Sequence, residues 1–293
     1  MGTTDWPAAE FQAHRAHLRA VAYRMLGSLA EADDAVQEAW LRLSRTDTDD
    51  VRNLRAWLTT VVSRVCVDML RARTARREDP LDVHVPDPIV TPAQDDPEQH
   101  ALLADSVGLA LLVVLDTLSP AERLAFVLHD IFAVPFAQVG HILDRSAAAA
   151  KQLACRARQR LAGASVPAAA DPGRQREVAD AFLTAARGED FEGLLAVLAP
   201  DVVLRADART GPLGPSRLVH GALDVIAQAR LYASLTRFAR PVLVNGTPGF
   251  LIEHGGQPIA LIGMAIRDGK IIEIDILADP ERLSRLNLTG LIP

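Results

Sequence analysis

Cysteine is scarce: Cys66 and Cys155 are the two in 293 residues, far apart and each inside a helical pattern. That spacing argues against a disulfide or a metal site and makes a reducing compartment the default. Long apolar runs are missing too, since nothing approaches the roughly 18 residues that span a bilayer. The longest candidate, LALLVVL at 109–115, lies between Asp105 and Asp116 and reads as a buried helix. The opening MGTTDWPAAEF has neither the basic start nor the apolar middle of a signal peptide. A cytoplasmic protein without a membrane partner is therefore expected. With 49% hydrophobic and 23% charged residues the chain is ordinary globular material. Its length suits roughly two domains of about 150 residues.

Positive charge is in deficit overall, at a formal net −6, which by itself argues against a nucleic-acid partner. The distribution reverses that impression. Between 52 and 77 stand seven arginines (Arg52, Arg55, Arg64, Arg71, Arg73, Arg76, Arg77) and one acid, Asp68. Between 144 and 160 five bases (Arg145, Lys151, Arg156, Arg158, Arg160) face Asp144 alone. The intervening 78–105 holds eight acids and no lysine or arginine. Two basic helical blocks joined by an acidic tether is a pattern that the net charge hides.

Hydrophobic periodicity divides the chain further. The first block, 7–77, is expected to be all helix, with Phe11, Leu18, Val21, Ala22 and Met25 at helical spacing up to Gly27. SLAE at 28–31 has the form of a capping box, Ser28 and Glu31 exchanging hydrogen bonds. The next helix buries Val36, Ala39, Trp40 and Leu43. A third is expected to bury Trp57, Leu58, Val61, Val62, Val65 and Met69 and to present Thr60, Arg64, Asp68 and Arg71. Residues 78–105, with five prolines and no periodicity, form a linker. A second helical block runs over 106–163, with the start signal SPAE at 119–122. A linker at 164–173 leads to a third block, 174–293, whose composition is α+β: helices, then strand-like runs PVLVNG, GFLIEH and PIALIGMAIRDGKIIEIDIL, the last with a tight turn at 267–270.

The segment PFAQVGHILDRSAAAAKQLACRARQRL at 135–161 has the rhythm of a helix-turn-helix. With Ser146 as N-cap, Ala150, Leu153, Ala154, Ala157 and Leu161 fall inward. Ala148, Lys151, Gln152, Cys155, Arg156 and Gln159 fall outward. Small residues in the first turn let the helix enter a major groove about 12 Å wide. Lys151, Gln152 and Arg156 behind them have the reach for base edges, and Arg158 and Arg160 suit phosphates. An amphipathic core helix with a solvated basic face is the plain alternative.

GSLAEADDAVQEAWLRL (27–43), RAWLTTVVSRVCVDMLRAR (55–73) and LSPAERLAFVLHDIFAVPFAQVGHILDRSAAAAKQLACRARQRL (118–161) together resemble an extracytoplasmic-function (ECF) sigma factor. The first two are similar to sigma region 2 and the third to region 4. The resemblance implies that Asp34, Gln37, Glu38 and Leu41 dock on the clamp helices of the RNA polymerase β′ subunit; a solvated helix face is the alternative. It also implies that Arg55, Thr60, Arg64, Asp68 and Arg71 hold the non-template strand of the −10 element, with the loop 46–53 forming part of a pocket for a flipped base. Ser146, Ala148, Lys151, Gln152, Arg156 and Arg158 would meet the −35 element. The acidic linker would then thread toward the polymerase cleft as a weak nucleic-acid mimic, or serve as a solvated spacer.

FLTAARGEDFEGLLAVLAPDVVLRAD resembles the opening of a SnoaL-like domain, the cone fold related to nuclear transport factor 2. The layout is similar to the SigJ-type ECF subgroup, in which such a domain replaces a separate anti-sigma factor. Asn245-Gly246-Thr247-Pro248-Gly249 matches that subgroup's NGxPG motif, a turn that would face the sigma core, and ILADPERL at 276–283 resembles its final turn. His84-Val85-Pro86-Asp87-Pro88 partly resembles its WLPEP linker motif. The subgroup's DGGGK motif is replaced here by 207–212, DARTGP, which implies a sister group.

The expectation is thus a multidomain protein with two all-α sigma domains and a C-terminal α+β SnoaL-like cone. It would be a sigma factor needing no cofactor or metal, with core polymerase and promoter DNA as partners and the C-terminal domain contacting the sigma domains. A plain helix-turn-helix regulator that ignores polymerase is one rival. The other is a SnoaL-like enzyme with a DNA-binding appendage, for which Asp207, His220, Tyr232, His254 and Asp275 are the candidate residues, none at a spacing that makes a catalytic pair.

Overall fold

The computed structural model describes residues 6–46, 53–75, 83–93, 108–162, 171–208, 213–288 and 291. Expectations for 47–52, Arg76 and Arg77, most of the acidic linker, 163–170 and 209–212 lie outside the described residues. The chain forms two compact units, one of residues 1–78 and 114–164, the other of 79–113 and 165–293.

The first unit opens with α1 (Trp6–Leu26), α2 (Leu29–Leu43) and α3 (Leu54–Ala75). After α4 (Leu109–Leu115) it continues with α5 (Pro120–Phe126) running into a π turn (Val127–Ile131), then α6 (Phe136–Ile142) and α7 (Ala147–Ala162). α1 buries Phe11, Leu18, Val21, Ala22 and Met25. α2 turns Ala32, Ala35 and Ala39 against its neighbours, and side chains this small let backbones pack closely.

Two local expectations fail. Ser28 does cap α2, accepting from Glu31 N at 3.4 Å, but the Glu31 carboxylate pairs with Arg73 of α3 instead of reaching back. A charge-assisted pair with a guanidinium outcompetes a neutral backbone N–H. On α3, Trp57, Val61 and Met69 are only half-buried, while Thr59, Ser63, Cys66 and Leu70 are buried. α3 packs on α1, α2, α5 and α6 together, so its covered arc is wider than one amphipathic stripe and is rotated from it.

The second unit is a seven-stranded sheet in the order β1-β4-β5-β6-β7-β2-β3. Its strands are β1 (Val90–Pro92), β2 (Leu198–Asp207), β3 (Arg217–His220), β4 (Ala239–Val244), β5 (Thr247–His254), β6 (Gln257–Arg267) and β7 (Lys270–Leu277). All neighbours are antiparallel except β2 and β7. Helices α8 (Pro172–Arg187), α9 (Phe191–Val197) and α10 (Ala222–Leu231) contribute Phe182, Leu194, Val225 and Ile226 to one core with Phe250 and Ile274. α11 (Pro280–Ser284) follows β7. Three hairpins close on residue pairs with left-handed backbone, Asn245-Gly246, Gly255-Gly256 and Asp268-Gly269, as turns matched to strand twist require.

The reading of 78–105 as wholly aperiodic linker is corrected at 90–92. Val90, Thr91 and Pro92 pair with Val244, Leu243 and Val242 and form the outer strand of this sheet. Three residues are too few to show a period, and an edge strand tolerates Pro92 because one side needs no donor. β3 was also not expected. Among the described residues no helix is long and apolar enough to cross a membrane.

Candidate polymerase and promoter interfaces

The helix-turn-helix is built by α6 and α7. Asp144 takes a left-handed conformation in the turn, and a Cβ on Gly140 would come within 2.7 Å of Arg145 O, so glycine is what lets the turn close on α6. Ser146 Oγ accepts from Ala149 N at 3.2 Å and starts α7. α7 buries Ala150, Leu153, Ala154, Ala157 and Leu161, leaving Ala148, Lys151, Gln152, Cys155, Arg156 and Gln159 exposed along the opposite side. Arg158 is drawn back onto Asp130 at 2.7 Å, and Arg160 and Arg156 onto Glu122 at 2.8 and 3.5 Å. Burial pushes the Glu122 carboxyl up, but hydrogen bonds from Ser119 and the charges of Arg160 and Arg156 outweigh it and hold the group below the usual range. The same carboxylate completes the Ser119 capping box at the start of α5.

On α3, Arg55, Asp68 and Arg71 are exposed, while Thr60 and Arg64 are half-buried. Thr60 donates to Ala56 O at 3.0 Å. Trp57, Thr60, Arg64, Asp68 and Arg71 follow one another at three- and four-residue steps, so an aromatic ring, a hydroxyl and cations share one stripe. Part of that stripe is covered by the helix-turn-helix. Arg64 donates to His141 O at 3.1 Å and lies 3.7 Å from Asp144, and Gln138 Nε2 donates to Ala56 O at 3.3 Å.

The same contact continues inward. Arg123 of α5, 2% exposed, donates to Arg24 O at the end of α1 at 3.1 Å and pairs with Asp116. Arg24 is as buried and lies over the Phe132 ring. His17 meets Phe132 edge-on at 5.2 Å and contacts Arg55 and Thr59 at 3.4 Å. Burial, then Arg55, His14 and Arg24, push its pKa down to about 4. Cys66 is fully buried beside this seam, and burial raises its thiol pKa far above the ordinary value. Arg123, Arg24 and His17 were missed by the sequence reading; an arginine inside an apolar period, as in ERLAF, was the available signal.

On α2, Asp34, Gln37 and Leu41 are exposed and Glu38 is half-exposed, bound to Arg42 at 2.9 Å. Leu41, 40% exposed, sets an apolar side chain among these carboxylates.

In the second unit the linker is clasped. Arg282 of α11 pairs with buried Asp207 at 2.5 Å and with Asp87 at 2.5 Å, and donates to Val85 O at 2.5 Å. Val85 N donates to Asp207 Oδ2 at 3.1 Å, and His84 Nδ1 stands 3.6 Å from the same oxygen. Asn245 Oδ1 accepts from Ile89 N at 2.9 Å, and Asn245 N donates to Ile89 O at 2.8 Å. The 245–249 motif thus grips the linker through Asn245. Gly246 is exposed in the turn, and Pro248 and Gly249 are buried, Gly249 where a Cβ would collide with Ile262 O.

The candidate catalytic residues do not converge. Asp207 is taken by the clasp and His220 is exposed on β3. His254 packs on Phe238, and buried Asp275 pairs with Arg205 at 3.3 Å. Burial pushes Asp275 up to about 6 although Arg205 opposes it. Tyr232 alone of the five lines the cavity enclosed by the sheet and helices. No group of three or more metal-binding side chains occurs among the described residues.

Comparison with known proteins completes the picture. Residues 11–76 match the Sigma-70 region 2 family and 108–161 the Sigma-70 region 4 family. The chain is 36% identical to the probable ECF RNA polymerase sigma factor SigI of Mycobacterium tuberculosis, over 98% of both chains. It is 37% identical to the ECF RNA polymerase sigma factor SigJ of the same species, over 94% of this chain and 93% of that one. The crystal structure of M. tuberculosis SigJ superposes with a TM-score of 0.77 at 35% identity, covering 96% of this chain and 99% of that chain. Two sigma regions, the helix-turn-helix geometry and full-length similarity agree: the chain belongs to the extracytoplasmic-function family of RNA polymerase sigma factors, with a SnoaL-like domain after its two helical regions.

Proposed function

We propose that this promoter-recognising sigma factor is held in a closed state by its own tether and opens on binding core polymerase in the cytoplasm. Asp34, Gln37, Glu38 and Leu41 dock on the β′ clamp helices, with Leu41 as the apolar centre of an acidic patch. Arg55, Thr60, Arg64, Asp68 and Arg71 grip the −10 strand, with Trp57 as a stacking surface. Lys151, Gln152 and Arg156 read −35 base edges beneath Ala148 and the Ser146 cap, and Arg158, released from Asp130, takes a phosphate.

Elements about 25 base pairs apart lie about 85 Å apart along a duplex at 3.4 Å per pair. The Arg64 bond to His141 O cannot persist when each region engages its own element. The observation that carries the proposal is the pairing of β1 with β4, since the segment joining the two sigma regions is itself a strand of the C-terminal sheet. The C-terminal domain acts as a regulatory clasp on the linker between the sigma regions through Asn245, Asp207 and Arg282, and performs no catalysis. The scatter of its candidate acids and histidines supports that.

A disulfide between Thr91→Cys and Leu243→Cys, made in a Cys155→Ser background, tests this. Those two positions are directly opposed in the ladder, and Cys155 is the exposed thiol that would interfere. The oxidised protein should bind duplex promoter DNA yet fail to direct transcription by core polymerase, with activity returning on reduction. Equal transcription in both redox states would refute the clasp.

A further inference from the structure

The cavity of the second unit has a chemistry that promoter recognition does not use. It measures about 90 Å³, and Leu204, Ile252, Ile274 and Ile276 give it apolar walls. At one end stand Arg217 of β3 with Gln228 and Tyr232. Arg217 donates to Gln228 Oε1 at 2.6 Å, to Tyr232 Oη at 2.6 Å and to the Leu213 carbonyl. Tyr232 donates to that carbonyl as well, at 2.8 Å.

Every polar partner that the described residues give Arg217 is a neutral oxygen. The other half-buried arginines of this unit's interior differ: Arg205 pairs with Glu273 and Asp275, and Arg282 with Asp87 and Asp207. A guanidinium partly withdrawn from water beside an apolar wall, with no counter-charge among the described residues, carries a cost that an anion would relieve. It is also a planar donor fork suited to a carboxylate.

We propose that this cavity binds a small apolar carboxylic acid. Its carboxylate accepts from Arg217 Nη2 in place of Leu213 O, and the Tyr232 hydroxyl, turned away from the same carbonyl, donates to it. Its hydrocarbon lies among the isoleucines. A dry cavity of about 150 Å³ admits benzene, so this smaller one suits an acid of about three to four carbons. The assignment is independent of the transcriptional reading.

Isobutyrate and butyrate would be titrated into the full-length protein by calorimetry, with isobutyramide as the uncharged match and acetate as a control for nonspecific anion effects. The acids should bind at least tenfold more tightly than the amide and than acetate. Arg217→Met should abolish that preference, and Arg217→Lys should retain part of it. Should Arg217→Met misfold by circular dichroism, Ala229→Leu, which fills the cavity from α10 and leaves Arg217 in place, should remove butyrate binding. Equal affinity for acid and amide, no binding by either acid at 10 mM, or binding unchanged in Ala229→Leu would overturn the proposal.

Discussion

The two helices proposed to face DNA stand in opposite conditions. α7 presents Lys151 and Gln152 to solvent, its inner face satisfied by small and leucine side chains. α3 presents its stripe partly to a neighbour: Arg64 is bonded to the helix-turn-helix, and Ala56 O accepts from Gln138. On the proposed assignment, Lys151 and Gln152 of the −35 helix are open to DNA while the −10 stripe is partly capped. On that proposal, duplex recognition precedes strand capture, and opening of the first unit is the step that separates them.

The largest blow to that contrast is Arg123→Ala, which empties the buried seam and leaves Arg24 O without its donor. It should cost about 3 kcal/mol in urea unfolding, in the range seen when a buried charged network is broken. Duplex −35 affinity should stay within about twofold, because α7's outer face is remote from the loss. Next in size, Lys151→Ala or Gln152→Ala should weaken specific duplex binding by about 1–3 kcal/mol, measured by anisotropy, with stability changed by less than about 0.5 kcal/mol. Arg64→Ala should be smaller, about 1 kcal/mol. It should speed amide exchange in α6, yet reduce strand opening on a promoter, where the same side chain is needed.

The last effect concerns pH. His17, held near 4 in the folded protein, binds its proton more readily once released, toward 6.5. Its contribution is complete above pH 6.5 and declines as pH falls toward 4, since the unfolded or opened state then takes up the proton. The urea midpoint should drop across that window, and His17→Gln should flatten the drop. An unchanged slope in His17→Gln would remove His17 from the seam's energetics.

How far the sequence discloses this molecule depends on how many neighbours each element has. α7 touches the protein on one side, so Ala150, Leu153, Ala154, Ala157 and Leu161 stand out at helical spacing and are the residues buried. α3 touches four helices, and its true buried set, with Thr59 and Ser63 in it, breaks the apolar period. β1 is legible only with its partner: Ile89-Val90-Thr91 between prolines is β-branched, but the ladder that makes it a strand comes from 242–244. The Arg282 clasp joins residues 195 apart, a distance at which no local pattern operates. Glu31 shows the same limit in miniature, where a local motif named one partner and the fold supplied a stronger one.

The most direct test is a distance between spin labels at Arg71→Cys on α3 and Ala162→Cys at the end of α7, in the Cys155→Ser background. Both sites are exposed, and Cys66 is buried with a raised pKa and will not compete for label. Pulsed electron resonance on the free protein should give one short distance. On adding core polymerase and promoter DNA it should lengthen by several tens of ångströms, approaching the span between elements about 85 Å apart. A distance unchanged in a complex that initiates transcription would contradict the closed-to-open account.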